Sequence, residues 1–465
     1  MKKHRLFVNP IILILVLILF APVLTAQDTS GEGGFAMGLG LDLGVQTFPD
    51  EAGGEKAYQR IGLIPDLSFG KFGLSLDLSF HVAPSEDPDK AFEFRKADWV
   101  PEGDTTFLEL YLPKFNYIRY GHKGDPLYVK FGSIDDGTLG NGFIMGGYSN
   151  KLFLPSEKIF GMSFDLDGML FGFPYVGLET FAGNLANFDV VGTRLFGRPL
   201  VWSDFPIVQN LEVGITLAAD LDPAYRDAYF TALLDGVGDP IYTDPENQVD
   251  SVVIFGLDFI QPILSNPVVS LAGFGDLVFQ PEGVGGMLGV GGRLISFIPY
   301  AVQLRVLGEN FIPVYFDATY DLYRAEKYLV ASGVSTVDSY VGWLASTGFS
   351  VMQDMISFNV LLDGPFKAIP SGDISQHSAT EYPHLRAVFN VADGVLPGFF
   401  FNAYYDKKYI TSFSDLVDRE GAVIGATVNY KTGPAVVTLA YDVRYNPSTG
   451  EYDTSAKLMT SIGLF

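Results

Sequence analysis

Phe35–Phe48 reads FAMGLGLDLGVQTF, and it alternates. One face collects Phe35, Met37, Leu39, Leu41, Leu43 and Val45; the other collects Ala36, Gly38, Gly40, Asp42, Gly44 and Gln46. Successive side chains of a strand point to opposite sides, so this is a strand with one greasy face and one small, polar face. Phe72–Val82 repeats it, with Phe72, Leu74, Leu76, Leu78, Phe80 and Val82 against Gly73, Ser75, Asp77, Ser79 and His81. Further copies lie at Met162–Asp167, Asn210–Leu217, Val302–Val306, Leu385–Val391 and Val437–Arg444.

A soluble sandwich also alternates, so three further features decide. The greasy faces run to five or six residues, as strands of about 9–11 residues crossing a bilayer require, whereas soluble strands average about 5–6. The polar face is rich in Gly, Ser, Asn and Asp, as a wet interior would be. Aromatics gather near strand ends, as in Tyr111–Tyr120, Phe399–Tyr409 and Tyr430–Tyr445, where amphipathic rings suit a headgroup layer. A strand in hydrocarbon must satisfy every backbone group from a neighbour, and only a closed sheet does so. The expected fold is all-β: a single closed antiparallel transmembrane β-barrel without a plug domain. About 18 or 19 strand starts can be read between Phe35 and Ala456, and even closure favours about 18 strands within a range of 16–20.

Composition narrows the rest. The 465 residues carry 30 Lys plus Arg against 54 Asp plus Glu, a net charge of −24, which disfavours nucleic acid as a partner. The absence of cysteine excludes disulfides, thiol nucleophiles and Cys-ligated zinc. Met1–Ala26 has a basic start (Lys2, Lys3, Arg5), the apolar run Ile11–Phe20 and Ala26 before a cut, and reads as a signal peptide. Residues 27–465 then form the barrel, with no room before Phe35 for a plug and no domain after the last strand.

Ala83–Thr105, Asp220–Asp250, Gly308–Gly348 and Gly364–Tyr382 are long connections, expected on the external side. Asp222–Leu234 and Tyr320–Val330 have helical character. Phe316–Ser350 reads as an external loop, with an inward-folded constriction as the alternative. Gly137–Gly147 lacks the Gly-Lys-Ser/Thr of a phosphate loop and reads as a tight turn or inward fold.

These features resemble the outer-membrane β-barrel (porin-like) superfamily. The signal Met1–Ala26, the alternating strands and the terminal SAKLMTSIGLF carry the likeness, although Phe465 falls out of phase with Leu458, Ile462 and Leu464. The absence of cysteine, the aromatic-rich strands and the segment from Asp136–Gly142 to Tyr148–Asn150 also look like large outer-membrane proteins of spirochaetes. The resemblance implies a cell outer-membrane location, with lipid, the barrel-assembly machinery and small solutes as partners.

No catalytic constellation emerges. His81 and Asp77 share a face at about 13 Å, four strand residues apart and too far for a catalytic pair. His122 sits in a turn, and His377 and His384 are seven apart in or beside an external loop. Asp235, Asp239, Asp244, Glu246 and Asp250 lack EF-hand spacing and read as a solvated acidic loop. No cofactor or metal is indicated, and an enzyme is not expected. The inward charges are the candidate site: Asp42, Asp77, Asp165, Asp167, Glu212, Asp258 and Asp442, with Lys130, Arg293, Arg305, Arg386 and Arg444. They fit a channel for passive diffusion of small hydrophilic solutes with a mild cation preference. A hydrophobic-substrate transporter and a surface adhesin are the alternatives.

Overall fold

The computed structural model describes residues 35–49, 55–85, 91–103, 105–152, 158–205, 207–224, 250–352, 354–370, 377–446 and 451–463. The signal segment, most of Asp222–Leu234 and the acidic run from Asp235 to Glu246 lie outside them. Among the described residues, twenty-two strand segments form one antiparallel sheet. Two staves are broken. Phe72–Leu76 and Leu78–Pro84 both pair with Glu55–Phe69 and make one stave; Phe92–Phe94 and Phe115–Tyr120 pair with its two halves and make the next. The wall therefore has 20 staves, each paired with its sequence neighbours. Phe35–Pro49 pairs with the last strand, Glu451–Gly463, and closes the barrel. With strands about 4.8 Å apart and tilted about 40°, 20 staves enclose a backbone cylinder about 40 Å across.

The number is 20 rather than 18, and the missing stave is Tyr340–Val351, which the sequence reading had absorbed into the Gly308–Gly348 connection. Its outward face is Val341, Trp343, Ala345, Thr347 and Phe349, too mixed to show greasy alternation. Thr106 starts a short capped helix, Phe107–Tyr111, and its stave resumes at Phe115.

Burial alternates as the pattern demands. In Glu212–Asp220, Val213, Ile215 and Leu217 are exposed while Gly214, Thr216 and Ala218 are buried. The outward residues of neighbouring strands continue this into an apolar band, with Leu195, Leu257, Leu277, Leu288, Leu304 and Leu439 exposed. At the end where the described residues begin and finish, Phe69, Phe72, Tyr120, Phe171, Trp202, Phe399 and Tyr430 form an exposed aromatic girdle. The strand ends that the long connections join lie at the opposite end.

The interior is not simply wet. Val252, Ile254, Val278 and Met287 point inward and are buried against Phe143, Ile144, Met145, Phe311, Tyr315 and Phe316 from two connections that fold into the barrel. One side of the lumen is thus a dry core.

Candidate functional site

Two segments fold into the barrel: 133–152, which follows strand Leu127–Gly132, and 308–339, between Ile298–Leu307 and Tyr340–Val351. The first bends into a tight hairpin. Gly137 and Tyr148 exchange backbone hydrogen bonds, and Gly140, Gly142 and Gly147 take positive φ values that side chains resist. Asn141 Nδ2 donates to Asp276 Oδ2 at 2.8 Å, and Gly140 N–H to Glu179 Oε2 at 3.0 Å, tying the tip to the wall. Gly146 N–H donates to the Phe316 carbonyl at 3.0 Å and Phe316 N–H to the Ile144 carbonyl at 3.0 Å, joining the two segments. The inward-fold reading of Gly137–Gly147 holds.

The second segment carries the helix Tyr320–Ala331, whose side chains are buried except Glu326. The external-loop reading of Phe316–Ser350 is therefore corrected: this stretch turns inward because its aromatic and aliphatic side chains fill the barrel. The signal was available, since Phe311, Ile312, Tyr315, Phe316, Leu322, Tyr323, Tyr328 and Leu329 are too apolar for a solvated loop.

Polar clamps seat the helix. Arg324 donates through Nε and Nη2 to Asp220 at 2.7 and 2.5 Å, and through Nη1 to Asp189 at 3.0 Å. Tyr320 Oη donates to Asp220 at 2.5 Å. Glu326 accepts from Tyr409 Oη at 3.0 Å and Ala379 N–H at 2.9 Å. Lys327 and Lys408 share Asp317, at 3.0 and 2.8 Å. Burial alone would raise the Asp317 carboxyl, but the two ammonium groups hold it well below the usual range. Burial lowers Lys327, Asp317 opposes that and Lys408 repels it, leaving Lys327 at about 8. Burial also disfavours the Lys408 charge, but Asp317 and Asp406 outweigh it and raise Lys408.

The sequence-predicted charges lie opposite the lipid-type face, and nearly all are partnered. Asp42 and Asp77 flank Arg60 at 3.2 and 2.9 Å, and Lys158 lies 3.2 Å from Asp77. Asp165 meets Lys123 at 2.9 Å and Asp167 meets Arg198 at 2.7 Å. Glu212 and Asp258 bind Arg194, at 3.0 and 2.6 Å. Arg305 meets Asp363 at 2.8 Å, Asp442 accepts from Tyr404 Oη at 3.0 Å, and Arg444 donates to the Leu152 carbonyl. Arg386 stands 3.8 Å from Asp406. Lys130 is half-buried beside Ser163. Arg293 sits apart at the terminal end, half-exposed and 3.8 Å from Asp354. Sequence reading missed Arg60, Glu179, Arg194 and Asp363, all at inward positions of strands, Arg198, just past the end of strand Val190–Gly197, and Arg324, which alternation cannot find because it is helical.

His81 is buried and bonded through Nδ1 to Asp98 at 2.9 Å. His384 opens the strand His384–Leu396, beside the connection that precedes it, and bridges Asp363 and Asp406 at 3.0 Å each.

Among the described residues, two spaces of mixed polar and apolar lining lie inside the barrel. A chamber of about 120 Å³ lies between helix and wall, lined by Arg305, Tyr323, Lys327, Asp363, Arg386 and Lys408. A larger one of about 580 Å³ lies between Asp135, Lys151, Leu152 and Thr319 of the infolded segments and the inward residues Asn402, Thr427, Thr438, Asp442 and Ser455. Arg386 borders both. A still larger concavity, about 880 Å³, lies on the apolar outer wall, among Leu195, Val213, Ile215, Leu257, Leu288 and Leu304.

No protein-family model and no curated protein matches this sequence. Solved structures do match, at low identity. Pseudomonas aeruginosa OpdQ is 8% identical, covering 93% of this chain and 98% of its own, with a TM-score of 0.33. The P. aeruginosa outer membrane protein OprD is 10% identical, covering 94% and 95%, with a TM-score of 0.30. Acinetobacter baumannii OccAB1 is 10% identical, covering 94% and 99%, with a TM-score of 0.30. The overlaps are loose, and the closed barrel follows from this chain's own ladder of strand pairs.

Proposed function

We propose that this chain is an outer-membrane channel for passive diffusion of small hydrophilic solutes, with a mild cation preference. The observation that carries the reading is the 580 Å³ chamber, bounded by Asn402, Thr427 and Thr438, inside a barrel whose outer face is apolar. A closed sheet with this polarity is stable in lipid and offers water a path along its inner face. The infolded segments narrow that path, so passage is selective by size and charge. Asp135, Asp406 and Asp442 outnumber Lys151 and Arg386 around the chamber, which supports the cation preference. Export by the Met1–Ala26 signal, insertion by the barrel-assembly machinery and the pore-lining role of the inward charges belong to the same proposal.

Planar-bilayer recording under a KCl gradient tests it. Discrete steps with a reversal potential on the cation side are expected. Folded protein that inserts yet never opens steps overturns the reading.

A further inference from the structure

Tyr404 lies flat on the inner wall of the barrel. It belongs to strand Phe399–Lys407 and shares its face with Asn402 and Asp406. In the next strand, Ala422–Thr432, the residue opposite Tyr404 is Gly425; opposite Gly425, in Ala435–Asn446, stands Asp442. Tyr404 Oη donates to Asp442 Oδ1 at 3.0 Å, so the side chain crosses a whole strand to reach its acceptor. The missing side chain of Gly425 makes room for it: a Cβ there would come 2.2 Å from Tyr404 Cε1 and 2.4 Å from Cζ. One face of the ring is pressed to the wall, and the part-exposed phenol lines the chamber of about 580 Å³. Rings cover inward glycines elsewhere, as Phe274 covers Gly289 and Phe196 covers Gly177, so the packing by itself is structural. Neither of those rings borders the two inner chambers; Tyr404 does.

Polar groups ring this platform. Asn402 and Thr427 are cross-strand partners two residues along from the ring, about 6–7 Å away on the wall. Thr438 stands beside them, its Oγ1 donating to Asn429 Oδ1 at 2.7 Å. Asp442 holds the hydroxyl tip, and the cross-strand pair Arg386 and Asp406 stands on the other side, 3.8 Å apart. Across the chamber, Lys151 and Asp135 of the infolded segment meet at 2.6 Å. The charges lining the described part of the chamber therefore come as opposite pairs, with Asp442 over, enough to bias small ions but not to fix a charged solute. Hydroxyl and amide groups both donate and accept, as sugar hydroxyls do. The ring face carries the negative side of its quadrupole, which suits the C–H bonds of a saturated ring. The volume falls in the range of about 300–1,000 Å³ found for small-molecule sites.

We infer that this chamber is a binding site for a neutral pyranose sugar, whose ring stacks on Tyr404 and whose hydroxyls bond to Asn402, Thr427 and Asp442. Gly425 is a positioning residue: it touches no sugar and lays the platform flat. The inference rests on the channel reading and deepens it, by naming the class of uncharged solute that the chamber retains in passage.

Planar-bilayer current through the full chain is recorded with methyl α-D-glucopyranoside, sorbitol or uridine added. Sorbitol offers hydroxyls without a ring, and uridine offers a flat aromatic base. The glucoside should interrupt the open current saturably, at concentrations about tenfold below those that sorbitol or uridine needs. Each variant is scored against its own open current. Tyr404→Leu and Gly425→Ala should weaken the glucoside block about tenfold without moving the sorbitol response. Tyr404→Phe keeps the ring and loses only its anchor, so it should stay within about threefold of the parent chain. A glucoside block no stronger than that of sorbitol, a stronger block by uridine, or a glucoside block unmoved in Tyr404→Leu overturns the sugar site. The comparison of the three solutes on the parent chain decides the matter even where a variant fails to fold. If the inserted chain opens no steps, the diffusion reading falls alone, and saturation-transfer NMR on the detergent-folded chain reads the site instead. The ring C–H protons of the glucoside should then be saturated and those of sorbitol not; no transfer to the glucoside, or equal transfer to both, overturns the site.

Discussion

Replacing Arg324 with alanine should unseat the inner helix while leaving the barrel folded. Arg324 is 2% exposed, and Asp220 and Asp189, which it binds, are 0% and 3% exposed. Removing the guanidinium strands two carboxylates where water does not reach. Breaking a buried pair in this way costs about 3–5 kcal/mol. At about 1.4 kcal/mol per tenfold, the balance between seated and released helix shifts by roughly a hundredfold to a few thousandfold. The barrel ladder contributes none of this, because Arg324 belongs to no strand. Single-channel recording reads the result: R324A should show larger or more frequently open steps than the parent chain, with unchanged heat-modifiable migration of the folded barrel. A compensated variant, R324M with D220L and D189L, exchanges the buried charges for apolar groups and should return conductance towards the parent value. If R324A conducts like the parent and protects the Tyr320–Ala331 segment equally from protease, the helix does not narrow the path and the reasoning fails.

Other perturbations follow from the same geometry. Arg194→Leu leaves Asp258, Glu179 and Glu212 around a missing charge and should destabilise the barrel by about 3–5 kcal/mol, read as a lower denaturant midpoint. Gly177→Val places a Cβ 2.1 Å from the Phe196 ring, so folding yield should fall and stability drop by about 1–3 kcal/mol. Lys327 has a folded-state value of about 8, below its ordinary 10.5, so the unfolded chain binds more protons between those values. Seating of the inner segment should therefore strengthen as pH rises from about 8 to 10.5. The rise should be absent in Lys327→Met, and an equal rise in that variant would contradict the assignment.

Much of the fold is legible in the sequence because a barrel wall obeys one local rule. Wherever the lumen is polar and the outside greasy, as at Phe72–Val82 or Val437–Arg444, alternation alone finds the strand. It fails where one face departs from type. Tyr340–Val351 was missed because Ala345 and Thr347 dilute its outer face. The dry inner wall was missed because Val252-Val253-Ile254-Phe255 is apolar on both faces, the mark of a strand buried on both sides. The candidate charges were legible as inward positions, yet their pairing was not. That depends on which strands are neighbours and on the helix carrying Arg324, which no period-two pattern reveals.

The claim beneath all of this is that lipid covers one face of each strand and water reaches the other. Charged maleimide labelling of single cysteines along Ala422–Thr432 and Ala435–Asn446, in sealed proteoliposomes, measures it directly. Thr427, Asn429 and Thr438 should react, Val428 and Leu439 should not, and reactivity should alternate along each strand. Equal labelling of both faces, or reaction confined to Val428 and Leu439, would contradict the account.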